Sequence, residues 1–194
     1  MMLTLTGVML SLLAAAQNVS PAAALQRRCE LRIQAGDVAG GLADCGAAIA
    51  VDRSQASGFL VRGIQLWTLG RFADAYSDFS QVLARDPRHC QALAYRGAAA
   101  LNMGEQPGVD MGDLDDAVRC DPSSAFAHYT RGVAKMRSMQ VHEAIDALTA
   151  AIRLAPQSPD AYEKRAICYE ELHNVAAAAR DRQRAEAIHG RRPR

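Results

Sequence analysis

One spacing constrains this chain more than any other property: small residues return about every 34 positions. Gly63 and Gly97 stand 34 apart, and Gly132 follows after 35. With Ala56 as position 1 of a unit, Pro87 falls at position 32, and residues 22–190 divide into five units: 22–55, 56–89, 90–124, 125–158 and 159–190. The third holds one extra residue and the last is cut short. Position 8 reads Cys29, Gly63, Gly97, Gly132 and Ala166; position 20 reads Gly41, Ala75, Asp110, Ala144 and Ala178; position 27 reads Ala48, Val82, Ala117, Ala151 and Ala185. Gly36, Gly70 and Gly104 mark position 15, and Pro87, Pro122 and Pro156 close three of the units.

A glycine within a helix costs about 1 kcal/mol against alanine, so its return at one register implies that something approaches the backbone there. Each unit therefore reads as two helices joined by a short glycine-containing turn, with proline stopping the second. One such pair cannot cover its own apolar face, so the units must stack. The composition agrees: 49% of residues are apolar but only 5% aromatic, which argues against a β-rich core. The expectation is an all-α solenoid.

The segment LWTLGRFADAYSDFSQVLARDP (66–87) carries the pattern most fully. With it the chain resembles the tetratricopeptide-repeat (TPR) family over residues 22–190. The resemblance implies a right-handed superhelical solenoid of five helix–turn–helix repeats. Unit one departs from the pattern, with Arg53 in place of the closing proline. Unit three departs at Gln106-Pro107-Gly108, which should delay its second helix to near Asp110. The polar run RDRQRAEAIHGRRPR suits a closing cap and ends in a basic tail, 191–194.

In an antiparallel pair turning near position 15, facing positions add to about 31. Position 7 is arginine throughout (Arg28, Arg62, Arg96, Arg131, Arg165), and position 23 is aspartate in four units (Asp44, Asp78, Asp113, Asp181), with Asp146 one place early in the other. Such a row reads either as an anion-binding ladder or as repeated structural ion pairs. The carboxylates keep step with the arginines, which favours pairing. The same rule makes Cys29 face Cys45, and Cys90 face Cys120, leaving Cys168 alone. Two facing pairs suit disulfides within single units, supporting unit one where its packing consensus is weakest. The alternative is five reduced core thiols.

No charged side chain precedes Arg27, and Leu3–Ala16 is an apolar run too short to span a membrane at about 20 residues per helix. Ala14–Ala16 and Ala22–Ala24 both have the small-x-small form of a cleavage site, so residues 1–21 resemble a secretory leader that lacks a basic start. A periplasmic or secreted location follows, with an apolar helix packed on a cytoplasmic protein as the alternative. The net charge of +1 leaves no electrostatic footprint for nucleic acid. His89, His128, His142, His173 and His189 fall at unrelated repeat positions, and no phosphate-binding or nucleophile motif occurs, so no metal, cofactor or catalytic residue is expected. The acidic patch Asp110, Asp113, Asp115 and Asp116 suits the start of a helix rather than an ion.

The resemblance implies that first helices line a concave groove through positions 2, 5, 6, 9, 12 and 13. These hold Leu60, Val61, Ile64 and Trp67 in unit two, Tyr95 and Leu101 in unit three, and Phe126, Tyr129, Val133 and Met136 in unit four. Polar flanks stand at either end, Gln26, Arg27, Glu30 and Gln34 opposite Glu163, Lys164, Glu170 and Glu171. Leu60 and Ile64 stand where an acidic-tail clamp would present Lys and Asn. The partner expected is a protein or peptide with apolar anchors. Apolar packing alone, or a homo-oligomer in which a second copy fills the trough, are the alternatives, as are a self-assembling structural module and a cytosolic interaction subunit.

Overall fold

A computed structural model describes residues 19–104 and 111–190. Among them run ten helices and no strand: α1 (Pro21–Gln34), α2 (Val38–Val51), α3 (Ala56–Thr68), α4 (Phe72–Leu83), α5 (Cys90–Met103), α6 (Met111–Cys120), α7 (Ala125–Arg137), α8 (Val141–Leu154), α9 (Pro159–Glu171) and α10 (Val175–His189). They pack as five consecutive pairs. Each second helix also touches the first helix of the next pair, and α3, α5, α7 and α9 touch in series. The fold is an all-α helical-repeat solenoid. Most of the leader-like stretch, Gln106-Pro107-Gly108, Asp110 and the basic tail lie outside the described residues.

Local chemistry sets the helix ends. Ser20 caps α1 by accepting from the Ala23 N–H at 3.2 Å, with Pro21 in the first turn where its missing N–H loses nothing. Asp37, Ser124 and Asn174 cap α2, α7 and α10 in the same way. His89 caps α5 through Nδ1, which accepts from the Ala92 N–H. Between the helices of a pair the chain passes through a left-handed residue. Gly36, Gly70 and Gly104 adopt it without strain (φ 86, 74 and 72°), and Met139 and His173 adopt it in the last two pairs (φ 57 and 56°). Four of these turns close with one bond type, as from the Arg71 N–H to the Leu66 carbonyl at 2.9 Å.

The position-8 register is a row of sockets. A Cβ on Gly63 would stand 2.9 Å from the Phe79 ring, and one on Gly132 would stand 2.7 Å from Leu148 Cγ. Gly97 receives Leu114 likewise. Phe79, Leu114 and Leu148 are all 0% exposed, so the knob at position 24 of each middle unit fills the socket opposite it. In unit one the same two positions are Cys29 and Cys45.

Candidate functional site

The first helices α3, α5 and α7 bring three aromatic rings together. Trp67 stands edge-on to Tyr95 (centroids 5.5 Å, planes at 82°) and to Phe126 (5.6 Å, 87°). Tyr95 leans over Phe126 at 4.5 Å and backs onto the buried Phe79 at 5.5 Å. Edge-to-face and offset contacts suit the ring quadrupoles, and Phe79 ties the group to the α3–α4 core. The three outer rings are only half-buried, so they form a platform rather than a sealed core.

Beside the platform lies a hollow of about 400 Å³ lined by Trp67, Tyr95, Phe126 and Tyr129, and closed by Ala155, Ser158 and Asp160 from the α8–α9 connection and the start of α9. A larger hollow of about 720 Å³ shares Tyr95 and Phe126 and runs toward Asp86, Arg88, His89, Cys90, Cys120 and Asp121. Burial raises the Tyr95 phenol above its ordinary pKa. Tyr129 is raised by burial first and then by the negative charges of Asp160 and Glu163. Both phenols stay neutral near neutral pH and can donate a hydrogen bond. Trp67 Nε1–H is buried and makes no hydrogen bond with any described residue.

Of the ten groove residues expected from the sequence, Leu60, Ile64, Trp67, Tyr95 and Phe126 lie half-buried against one core cluster. Tyr129 and Met136 lie against Ala144 and Leu148, and Val133 lies beside Leu114 and Ala134. Val61 is half-buried. Leu101 corrects the expectation: it is 3% exposed and packed with Leu114 and Ala134, so it belongs to the core. It shares position 12 with Trp67 and Met136, but it packs inward on Leu114 of α6 and Ala134 of α7. The sequence reading also missed Ala155, Ser158 and Asp160. Asp160 sits at position 2 of its unit, the register of Phe126, which was the available signal.

The arginines meet their aspartates with both nitrogens. Arg28 binds Asp44 at 2.6 and 2.5 Å, Arg62 binds Asp78 at 2.8 and 2.7 Å, Arg96 binds Asp113 at 2.6 and 2.7 Å, and Arg165 binds Asp181 at 2.7 and 2.8 Å. The four carboxylates are buried. Their bonds to guanidinium raise Arg28, Arg62 and Arg165 above the ordinary arginine value, and the Arg28 bond holds Asp44 below the usual carboxylate range. Arg131 departs from the pattern: Asp146 is exposed and position 23 is Ala147, so the guanidinium turns back to Asp115 of α6 at 3.6 Å. The acidic patch is used the same way, Asp113 with Arg96, Asp115 with Arg131 and Asp116 with Arg119. Among the described residues no three His, Cys, Asp or Glu side chains stand together as metal ligands would.

The structure places Cys29 opposite Cys45 with Cα atoms 5.3 Å apart, and Cys90 opposite Cys120 with Cα atoms 5.4 Å apart. Both spacings are those of a disulfide. Cys168 is buried and separate, and burial is the largest cause raising its thiol pKa.

The left-handed turns between paired helices, the small-residue sockets and the serial contact of first helices are those of the tetratricopeptide-repeat fold. Solved structures of that fold match at low identity. MamA (residues 41 to the end) from Desulfovibrio magneticus RS-1 matches at a TM-score of 0.76 and 20% identity, over 90% of this chain and 98% of that one. YrrB, described as a TPR protein with an unusual peptide-binding site, matches at 0.69 and 19%, over 92% of this chain and 91% of YrrB. A thermophilic TPR protein of Thermus thermophilus matches at 0.69 and 18%, over 88% of this chain and 92% of that one. At these identities the likeness is one of fold. No protein-family model matches the sequence, and no curated protein does.

Proposed function

We propose that this chain is a non-catalytic adaptor that holds a partner polypeptide by apolar side chains against the first helices of its middle units. One observation carries the reading: three half-exposed aromatic rings from the first helices of three successive pairs touch one another beside an apolar hollow. Rigid aromatic surface of this kind gives large contact area with little entropy lost on binding, as interface anchors do. The hollow suits one apolar side chain, and Asp160 and the Tyr129 hydroxyl at its edge offer polar contacts to the partner's backbone. The peptide-binding site in the description of YrrB supports a peptide as the class of partner for this fold.

Peptides selected on the purified chain from a displayed library, then titrated calorimetrically, test this. Trp67→Ala and Tyr129→Ala should each weaken binding at least tenfold, about 1.4 kcal/mol, while circular dichroism shows helicity unchanged. Unaltered affinity in both variants would remove the groove from the account.

We also place the adaptor outside the cytoplasm. The apolar leader-like stretch and two cysteine pairs at bonding distance support this together. Of the two small-residue sites, Ala22–Ala24 lies inside α1 with Ala22 2% exposed, and cleavage there would remove the Ser20 cap. Cleavage after Ala16 keeps α1 whole. The intact mass of the protein recovered from its host tests this: a chain beginning at Gln17 is expected, and one retaining Met1 to Ala16 with five free thiols would contradict it.

A further inference from the structure

The two cysteine pairs differ in their surroundings. Cys29 and Cys45 are both 0% exposed. Cys120 is exposed and Cys90 half-buried, and both border the larger hollow. They differ in backbone setting as well. Cys90 is the first residue of α5, next to the His89 cap, where the free N–H groups of a helix start favour a thiolate. Cys120 is the last residue of α6, at the carbonyl end, where a thiolate is disfavoured.

Thiol–disulfide exchange needs access to one sulfur, and it runs faster when the departing sulfur is the more acidic one. Both conditions select the same direction: attack on exposed Cys120 and departure of Cys90. The charged groups lining the hollow are Arg88 against Asp86 and Asp121, so both signs of charge are present there.

We infer that Cys90–Cys120 is an exchange site for low-molecular-weight thiols of the glutathione type, opening in the folded chain while Cys29–Cys45 stays closed. An incoming thiolate forms a bond to Cys120 Sγ as the Cys90–Cys120 bond breaks, and Cys90 leaves as a thiolate that takes up a proton. A second thiolate attacks the external sulfur of that mixed disulfide and releases Cys120. Two thiols are oxidised to one disulfide, and the protein gains two electrons and two protons. The bond spans 30 residues and ties the start of α5 to the end of α6 beside Tyr95 and Phe126. Exchange therefore loosens unit three at the margin of the groove, whatever the groove holds.

The test uses the full oxidised chain exposed to reduced glutathione for graded times, acid-quenched, and alkylated with two isotopic forms of one reagent. Peptide mapping then reads each cysteine. Cys90 and Cys120 should be reduced at least about tenfold faster than Cys29 and Cys45, with helicity intact and the first glutathionyl adduct on Cys120. In Cys90→Ser, Cys120 should take up glutathione from glutathione disulfide without unfolding. Equal rates for the two pairs, an adduct found first on Cys90, or reduction only as helicity is lost would each overturn the inference. So would a chain whose Cys90 and Cys120 thiols fail to join under glutathione disulfide.

Discussion

Replacing Gly132 by alanine sets two effects against each other. In an isolated helix the change is worth about 1 kcal/mol in favour of alanine. Here the new Cβ would stand 2.7 Å from Leu148 Cγ and 3.3 Å from the Leu148 backbone nitrogen. Leu148 is 0% exposed, and because its own backbone is close it cannot simply swing aside. Overpacking of this kind costs about 1–3 kcal/mol, and the double contact belongs at the upper end. The net expectation is a loss of about 1–2 kcal/mol. Gly46 is the internal control. It lies within α2, and a Cβ there would meet only Arg62 Nη1, at an ordinary 3.7 Å. Gly46→Ala should therefore stabilise by up to about 1 kcal/mol. Urea unfolding followed by far-ultraviolet circular dichroism measures both. Opposite signs are the result expected. If Gly132→Ala is stabilised as much as Gly46→Ala, the sockets do not bear the packing assigned to them.

Further outcomes follow from the same geometry. Met139 is 74% exposed and left-handed at φ 57°, so Met139→Gly should relieve strain without opening a cavity and raise stability by about 0.5–1 kcal/mol in urea unfolding. Asp44 is held below its ordinary value, chiefly by the Arg28 bond, so the unfolded chain binds more protons on acidification. The stability from this pair is present above the usual aspartate pKa and is lost as pH falls through the depressed one. Thermal unfolding scanned downward in pH should show that loss, and Arg28→Ala should flatten it. Removing the buried cysteine pair as Cys29→Ala with Cys45→Ala should cost the oxidised protein about 3 kcal/mol, from the 16-residue span it closes. A loss under about 1 kcal/mol would mean that the pair carries no cross-link.

The sequence exposed the stack because the stack is periodic. A residue type demanded by close approach must recur wherever the approach recurs, as Gly63, Gly97 and Gly132 do. Facing positions follow from the turn, which sets Arg28 against Asp44 and Cys29 against Cys45. The departures come where neighbours decide. Arg131 turns to another unit because Ala147 stands where its carboxylate should be, and the partner Asp115 belongs to a different hairpin. Leu101 shares position 12 with Trp67 and Met136 but sinks onto Leu114 and Ala134, its neighbours on α6 and α7. Met139 and His173 hold the turn that glycine marks elsewhere, so residue type alone hid two of the five turns. The contact of Trp67, Tyr95 and Phe126 depends on how three helices are rotated against each other, which spacing along the chain does not carry.

The adaptor reading meets its most direct test in photo-crosslinking. A benzoyl-phenylalanine placed at Tyr129, on the hollow, and another at Val175, 73% exposed at the start of α10, are irradiated with a selected peptide bound. The account predicts covalent capture from position 129 and none from 175, and capture from 175 with none from 129 would contradict it.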